Sequence, residues 1–446
     1  MNNILVLGAG LVVGPFVHYL LDQSDCHVKV ASLAFSERVE NLIAGHPRGE
    51  AQVLDATDAQ SLRTLISDAK TDLVADFLPP AYHATVGRLS IEAGIPMVSV
   101  SFASDEMKAL NTEAEDAGIL ILNEIGLDPG IDHMSAMRVI HKVQSEGGVI
   151  VGFSSVCGAI PAPEASLNPL GYKFSWHPQG ALGAAKRPAR YLKDGQEIPI
   201  PSDKLFEQYS LQYIEGLGYF ELYPNGNSLP YIHTYGIPEI RTMYRGTLRY
   251  MGWCETLKKF IELGLLDEKG NDLRGLSYRE FLSKLTGSSS ESELERNLAL
   301  HFHIDKDSTM LKRLEWLGLL SDKPLPLRQG SAFDVLLAQM MEKLKYEQGE
   351  RDMVVLQDEL VAQYPDQRPE EKITSTLTEY GIPGGDSAVA RTVGLPAAIA
   401  AKLILQGEIN LRGVHIPVDP IIYEPVLEEL EQQGIIFTGK AENLNP

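Results

Sequence analysis

The short apolar run Asn3-Ile4-Leu5-Val6-Leu7 passes directly into Gly8-Ala9-Gly10 and then into an apolar-periodic stretch reaching Leu21. Few patterns constrain a fold as tightly. The run has the composition of a strand buried on both faces of a parallel sheet. Gly8 permits the tight turn, Gly10 lets the backbone approach a diphosphate, and the helix after the turn directs free N–H groups at it. The third glycine of the usual G-x-G-x-x-G spacing is displaced, since Val13 stands there and Gly14 comes one residue later. A plain structural turn is the competing reading of so short a motif.

The residues beyond Leu21 support the dinucleotide reading. Strands are expected at His27–Ala31, Ala51–Leu54, Leu73–Leu78, Met97–Val100 and Leu120–Asn123, with helices such as Ala84–Ala93 and Glu106–Ala117 between them. Regular alternation of this kind predicts an α/β fold, a Rossmann doubly wound parallel sheet. Ligands of such sheets bind beyond the carboxyl ends of the strands, which is where Asp55, Leu78-Pro79-Pro80, Ser101 and Asp128 fall. At the end of the second strand an acidic residue marks NAD, and a nearby arginine marks NADP. Ser32-Leu33-Ala34 carries neither signal. Arg38, at the start of the next helix, is either within reach of a phosphate or a solvated helix residue, so these residues leave NAD against NADP open.

The 446 residues predict about three domains. Lys+Arg at 39 against Asp+Glu at 60 gives a net charge of −21, which argues against nucleic acid or an anionic membrane as partner. Cys26, Cys157 and Cys254 form no pairing pattern and predict free thiols in a cytoplasmic protein. Met1-Asn2-Asn3 offers no basic start for a secretion signal, and the run to Leu21 is too short and too glycine-rich for a membrane span. His301-Phe302-His303 lacks a suitably spaced third ligand, so no metal is expected.

The string Asn123-Glu124-Ile125-Gly126-Leu127-Asp128-Pro129-Gly130-Ile131-Asp132-His133 resembles the saccharopine dehydrogenase family, in its glutamate-forming, saccharopine reductase branch. Pro161-Ala162-Pro163-Glu164, Asn168 to Trp176, Arg245-Gly246-Thr247-Leu248-Arg249-Tyr250 and Thr392 to Pro396 are similar to further signatures of that family, in family order. The resemblance implies a reversible reaction in which aminoadipate semialdehyde and glutamate condense to an imine that NADPH reduces to saccharopine, with NAD as the other possible cofactor. It implies a nicotinamide-cofactor site at the glycine turn (Gly8, Gly10, Leu11, Val12), Ser101 and Leu127-Asp128-Pro129, to which the strand ends add Ser32, Asp55, Leu78 and Pro79 as expected contacts. It implies an amino-acid site at Ser101, Asp128 and Thr247-Leu248-Arg249; Phe102, Arg245 and Cys157, a pocket-lining thiol with no activating histidine in view, are expected beside them, and Asp128 is the candidate catalytic group. Two positions depart from the family pattern: Leu33 stands where an NADP-holding arginine is expected, and Gly226 where a substrate-holding arginine is expected. A related reductase forming a carboxylated polyamine-type product and a catalytically silent dinucleotide-binding regulator are the competing functions. A homodimer is the expected assembly.

Independently of the resemblance, a substrate with three carboxylates needs fixed cations. Thr242 to Trp253 reads as a strand whose period of two sets Arg245, Thr247 and Arg249 on one face. The two arginines form either an anion cradle or ion pairs with nearby carboxylates. Asp128 precedes a Pro-Gly turn pair, so it is either a turn aspartate or a contact for the substrate amine. Lys173 is either a carboxylate or phosphate contact or a surface lysine, and His133 reads as a helix-start residue. The expected organisation is a Rossmann domain over 1–130 with 386–446 packing back on it, an α/β substrate domain over 131–253 and 347–385, and a helical subdomain over 254–346. Within these, helices are expected at Glu255–Leu265, Ser277–Leu285, Glu291–His301, Ala332–Lys345 and Ser387–Leu405, a linker at Gly287-Ser288-Ser289-Ser290, and strands at Asp352–Gln357 and Ile373–Thr378.

Overall fold

In the first ninety-odd residues helix and strand alternate as the pattern predicts: β1 (Asn2–Leu7), α1 (Gly14–Asp22), β2 (Cys26–Ser32), α2 (Glu37–Ile43), β3 (Gly49–Val53), α3 (Ala59–Ile66), β4 (Leu73–Asp76) and α4 (His83–Ala93). Next come β5 (Met97–Ser99), α5 (Asp105–Lys108), α6 (Asn111–Ala117), β6 (Leu120–Leu122) and α7 (Ile131–Ser145). The structure is a computed structural model and describes residues 1–22, 25–68, 70–287, 293–365 and 368–444. The chain divides into two compact units, Met1–Ser155 with Ile232–Ile240 and Val354–Pro446, and Val156–Tyr231 with Arg241–Met353. The long strands Val149–Pro161 and Asp352–Gln363 each begin in one unit and end in the other.

The first unit is built on a seven-stranded sheet in the order Gly413–His415, β6, β5, β4, β1, β2, β3, with every neighbouring pair parallel. The apolar runs become its centre: Ile4 to Leu7 are at most 2% exposed, and all of β4 is buried. Strand order reverses between β1 and β4, and that switch point opens the crevice in which such sheets bind ligands. The helix Ala388–Leu405 starts at Ser387, whose hydroxyl accepts the Ala390 N–H at 3.0 Å. Among the described residues it alone is long and apolar enough to cross a membrane, and 72% of its apolar window is buried inside the protein. It packs against α1, so its apolarity belongs to a core.

The second unit sets Ser210–Ile214, Gly218–Pro224 and Thr242–Arg249 side by side as antiparallel strands. The hairpin Ala189–Lys193 with Gln196–Ile200 joins them at Met243. Helices Trp253–Glu262, Tyr278–Leu285, Leu294–Phe302, Thr309–Leu317 and Ala332–Lys343 share one core that includes Phe260, Leu282, Leu298, Leu314 and Leu336.

Several expected boundaries move for local reasons. The helix expected over Glu106–Ala117 is two helices: the Ser104 hydroxyl caps the first at Met107 N–H, and a tight turn in which Leu110 N–H donates to the Met107 carbonyl precedes α6 at Asn111. The strand expected to run to Trp253 stops at Arg249, and a helix begins at Trp253. The helix Thr309–Leu317, with Ser308 as its cap, and the two hairpins were not expected. Ser288 to Ser290 and Glu291 lie outside the described residues.

The Leu127-Asp128-Pro129-Gly130 turn is tied down at both ends. Glu124 N–H donates to Ser101 carbonyl, Ile125 N–H to Ser99 carbonyl, and Gly126 N–H to Pro129 carbonyl. The Asp132 carboxylate accepts Gly130 N–H at 2.6 Å. Gly130 has φ 146°, and a Cβ there would lie 2.1 Å from the Gly126 carbonyl oxygen. Gly130→Ala therefore combines strain with backbone overlap and should cost at least about 3 kcal/mol. Gly94→Ala, at φ 71° with nothing within 4 Å of the added Cβ, should cost about 1–2 kcal/mol. Denaturant melts of the two variants side by side test the difference.

Candidate functional site

Two separate clusters carry the candidate chemistry, one in each unit. In the first unit the glycine turn leaves β1 as the motif requires. Gly8 has φ 102°, and a Cβ there would approach the Phe77 carbonyl oxygen to 2.9 Å. Gly8 N–H donates to the Ala31 carbonyl at 2.8 Å, fixing the turn to β2. Around Gly10 nothing lies within 4 Å of where a Cβ would stand, so the backbone there is approachable. Leu11 is exposed and Val12 half-buried. Such a turn, open above its second glycine and feeding α1, fits the diphosphate of a dinucleotide.

The remaining predicted cofactor residues line the ends of the neighbouring strands. Ser32 closes β2, and Leu33 beyond it is 70% exposed. The exposed Asp55 carboxylate accepts the Thr57 hydroxyl at 2.7 Å and the Thr57 N–H at 2.9 Å, and these bonds hold its pKa below the usual carboxylate value. It organises its own turn. Leu78 and Pro79 lie just past β4, where Leu78 N–H donates to Asp76 at 3.0 Å. Ser101 and Asp128 are half-buried, Leu127 and Pro129 are buried, and Phe102 is 50% exposed.

Two sets of buried contacts near these strand ends were not foreseen in the sequence reading. Asp76 pairs with His83, and His83 Nε2 has no hydrogen-bond partner. His133, completely buried, joins Glu124 Oε2 at 2.9 Å to the Tyr235 hydroxyl at 2.7 Å. Glu124 also accepts the Ala103 N–H at 3.0 Å. His133 thus holds the segment after β6 to the Ile232–Ile240 strap from within the core.

In the second unit, Thr242–Arg249 positions the arginines. Arg245 is 5% exposed and lies 4.2 Å from the Tyr231 ring centroid. Arg249 is also 5% exposed, and its guanidinium lies 5.1 Å from the Tyr172 ring centroid and 5.6 Å from that of Trp253. Its Nη1 donates to the Leu248 carbonyl at 2.8 Å, while Nε has no partner. Trp253 Nε1 and the Tyr172 hydroxyl are likewise buried without partners. Leu248 is fully buried, Thr247 half-buried, and Cys157 buried and outside any disulfide. Lys173 is buried and paired with Glu350.

The register explains why Arg249 lacks a carboxylate. Glu221 stands directly across the strand pair from it. The Glu221 carboxylate is 2% exposed and accepts Gly252 N–H and Cys254 N–H, each at 2.7 Å, at the start of the helix Trp253–Glu262. The same charge and burial push the Cys254 thiol pKa well up, burial being the larger cause. With Glu221 committed to the helix, Arg249 and two aromatic donors form a buried site short of acceptors. Burying a cation is costly unless an anion meets it, and a carboxylate supplies the missing acceptor.

A parallel doubly wound sheet with a Gly-x-Gly turn between its first strand and first helix defines a Rossmann dinucleotide-binding protein. Residues 4–122 match the family model described as the saccharopine dehydrogenase NADP binding domain, and residues 126–435 match the saccharopine dehydrogenase C-terminal domain. The chain belongs to the saccharopine dehydrogenase family. It is 37% identical over 445 residues to the glutamate-forming, NADP(+) saccharopine dehydrogenase of Schizosaccharomyces pombe, covering 98% of each chain. It is 38% identical to the mitochondrial alpha-aminoadipic semialdehyde synthase of Bos taurus, and there the chain spans 48% of that protein's length. The apo glutamate-forming saccharopine dehydrogenase of Saccharomyces cerevisiae superposes with a TM-score of 0.89 at 36% identity, covering 99% of this chain and all of that one.

Removing the Glu221 carboxylate leaves two buried N–H groups unpaired. Glu221→Ala should cost about 2–4 kcal/mol and Glu221→Gln less, since the amide oxygen still accepts one bond. Denaturant unfolding monitored at the helix signal checks the order.

Proposed function

We propose that the protein is an NADP-dependent oxidoreductase acting on a CH–NH bond, interconverting saccharopine with glutamate and aminoadipate semialdehyde. In the oxidative direction saccharopine, NADP(+) and water give glutamate, aminoadipate semialdehyde, NADPH and a proton. The observation that carries the reading is the buried Arg249 guanidinium, whose Nε lacks a partner and which has an acceptor-poor aromatic pair beside it. An amino acid with three carboxylates matches that need. The near full-length likeness to fungal enzymes of this name and the match of residues 4–122 to an NADP binding domain support the same reading.

The bound nicotinamide supplies hydride acceptance and donation, and the chain supplies position and charge. Gly8, Gly10 and the start of α1 hold the diphosphate, with Leu11, Val12, Ser32, Leu78, Pro79, Leu127 and Pro129 around the cofactor. Asp128, on its doubly anchored turn, exchanges a proton with the substrate amine and later with the attacking water. Ser101 and Phe102 contact substrate from the same unit. In the second unit Arg249 holds a substrate carboxylate, with Arg245, Thr247, Leu248 and Cys157 as the other substrate residues of that unit. Three buried cysteines outside any disulfide support a cytoplasmic location. Exposed Leu211, Tyr213 and Tyr219 support a homodimer.

Purified protein with saccharopine and NADP(+) should raise absorbance at 340 nm in proportion to enzyme. No turnover with either NADP(+) or NAD(+) would reject saccharopine as substrate. Arg249→Ala should raise the saccharopine KM about ten- to hundredfold, the loss of one or two charged hydrogen bonds. The NADPH dissociation constant, measured by fluorescence, should stay as in the wild type.

A further inference from the structure

The end of β2 is the part of a doubly wound sheet that meets the adenosine ribose, and here it carries no charge: Ser32 is succeeded by the 70% exposed Leu33 and by Ala34. A cation arrives from α2. Arg38 folds back over the glycine turn, where Nε donates to the Ala9 carbonyl and Nη2 to the Gly10 carbonyl, each at 2.9 Å. A guanidinium has five N–H groups. These two bonds leave both hydrogens of Nη1 and one of Nη2 in hand. The residue remains exposed although its inner edge is pressed against the turn.

No carboxylate among the described residues lies within ion-pair distance of Arg38, although the chain carries 60 acidic residues. Its neighbour Glu37 and the nearby Asp386 leave it alone, and Asp386 instead faces His18 at 3.9 Å. The guanidinium borders an open cavity of about 390 Å³ whose walls include Leu11, Gly14, His18, Asn41 and Asp386. Burial against the turn lowers its pKa from the usual arginine value, with no anion acting in the opposite direction.

The geometry points to Arg38 as the residue that selects NADP over NAD, by donating to the 2′-phosphate of the adenosine ribose. The ribose of a bound dinucleotide lies between the glycine turn and the end of the second strand, and an arginine near that strand end accommodates the 2′-phosphate. Arg38 reaches this place from α2, already oriented by the two turn carbonyls. Its planar fork suits a phosphate, and so little freedom is lost when the phosphate binds. The assignment rests on the NADP reading above and adds the side chain that enforces it.

A purely structural role is the alternative, in which Arg38 braces the turn and touches no ligand. The two differ in how they treat NADPH and NADH. Fluorescence titration of wild type, Arg38→Lys and Arg38→Ala with each cofactor separates them, with 2′,5′-ADP and 5′-ADP as competitors lacking the nicotinamide. Arg38→Ala should weaken NADPH and 2′,5′-ADP about ten- to hundredfold. NADH and 5′-ADP should change less than about twofold on the same basis. Arg38→Lys should fall between, because it keeps the charge and loses the fork. Equal weakening of both cofactors, or no change in either, overturns the assignment while leaving the cofactor reading intact. A wild type that binds NADH but not NADPH overturns both. Thermal melts of the variants confirm folding, and if Arg38→Ala is unfolded the Arg38→Lys ratio of the two cofactors decides alone.

Discussion

The Glu221 carboxylate, shared between two backbone N–H groups at the start of the helix Trp253–Glu262, is the contact on which the second unit turns. It satisfies donors that a helix start leaves free, fixes where the strand ends, and removes itself from the cation directly across the sheet. Arg249 is left buried beside Tyr172 and Trp253 with its Nε unpaired. In a chain of net charge −21 a carboxylate for every arginine is easily found. That makes an arginine kept apart from all of them informative. Arg38 in the first unit likewise lacks a carboxylate, and two backbone carbonyls hold it instead.

Much of the first unit was legible because its signals are local. A strand buried on both faces is dominated by apolar residues, as Ile4–Leu7 of β1, Leu73–Ala75 of β4, Met97–Val98 of β5 and all of β6 are; the glycine turn comes immediately after its strand. Boundaries failed where a single side chain overrides periodicity. Ser104, bonded to Met107 N–H, starts α5 at Asp105, ahead of the helix expected over Glu106–Ala117. The strand through Arg249 ends at a position dictated by Glu221, a residue distant in sequence, and apolar alternation through Tyr250 and Trp253 gave no hint of it. The hairpin Ala189–Lys193 with Gln196–Ile200 and the strand Ser210–Ile214 were missed because they are mostly exposed or half-buried and lack the apolar alternation that marks a strand.

The site was legible to the extent that chemistry fixes residue type. Arginine for carboxylate and glycine for a close backbone approach can be read directly. Period two located Arg245, Thr247 and Arg249 on one strand, and the strand is there. Period could not separate the two arginines, and only the structure distinguishes Arg245, stacked on Tyr231, from Arg249 with its unpaired Nε. Tyr172 and Trp253 acquire meaning only from the ring they form around that guanidinium. His133, read as a helix-start residue, is the middle of a buried Glu124–His133–Tyr235 chain whose members come from three separate segments.

The parallel sheet of the first unit takes its seventh strand, Gly413–His415, from far along the chain, pairing it with β6. The buried helix Ala388–Leu405 that packs on α1 comes from the same stretch. Residues of the other unit are made in between. During synthesis, then, the early strands of the dinucleotide half precede the second unit and must wait with an open edge and an uncovered helix until Ala388–Leu405 and Gly413–His415 follow. Closing so long a loop raises the entropy cost only slowly with length, but the delay is set by translation speed. The exposed β6 edge is therefore a transient hazard of synthesis, and a period in which chaperone protection would matter most for this fold.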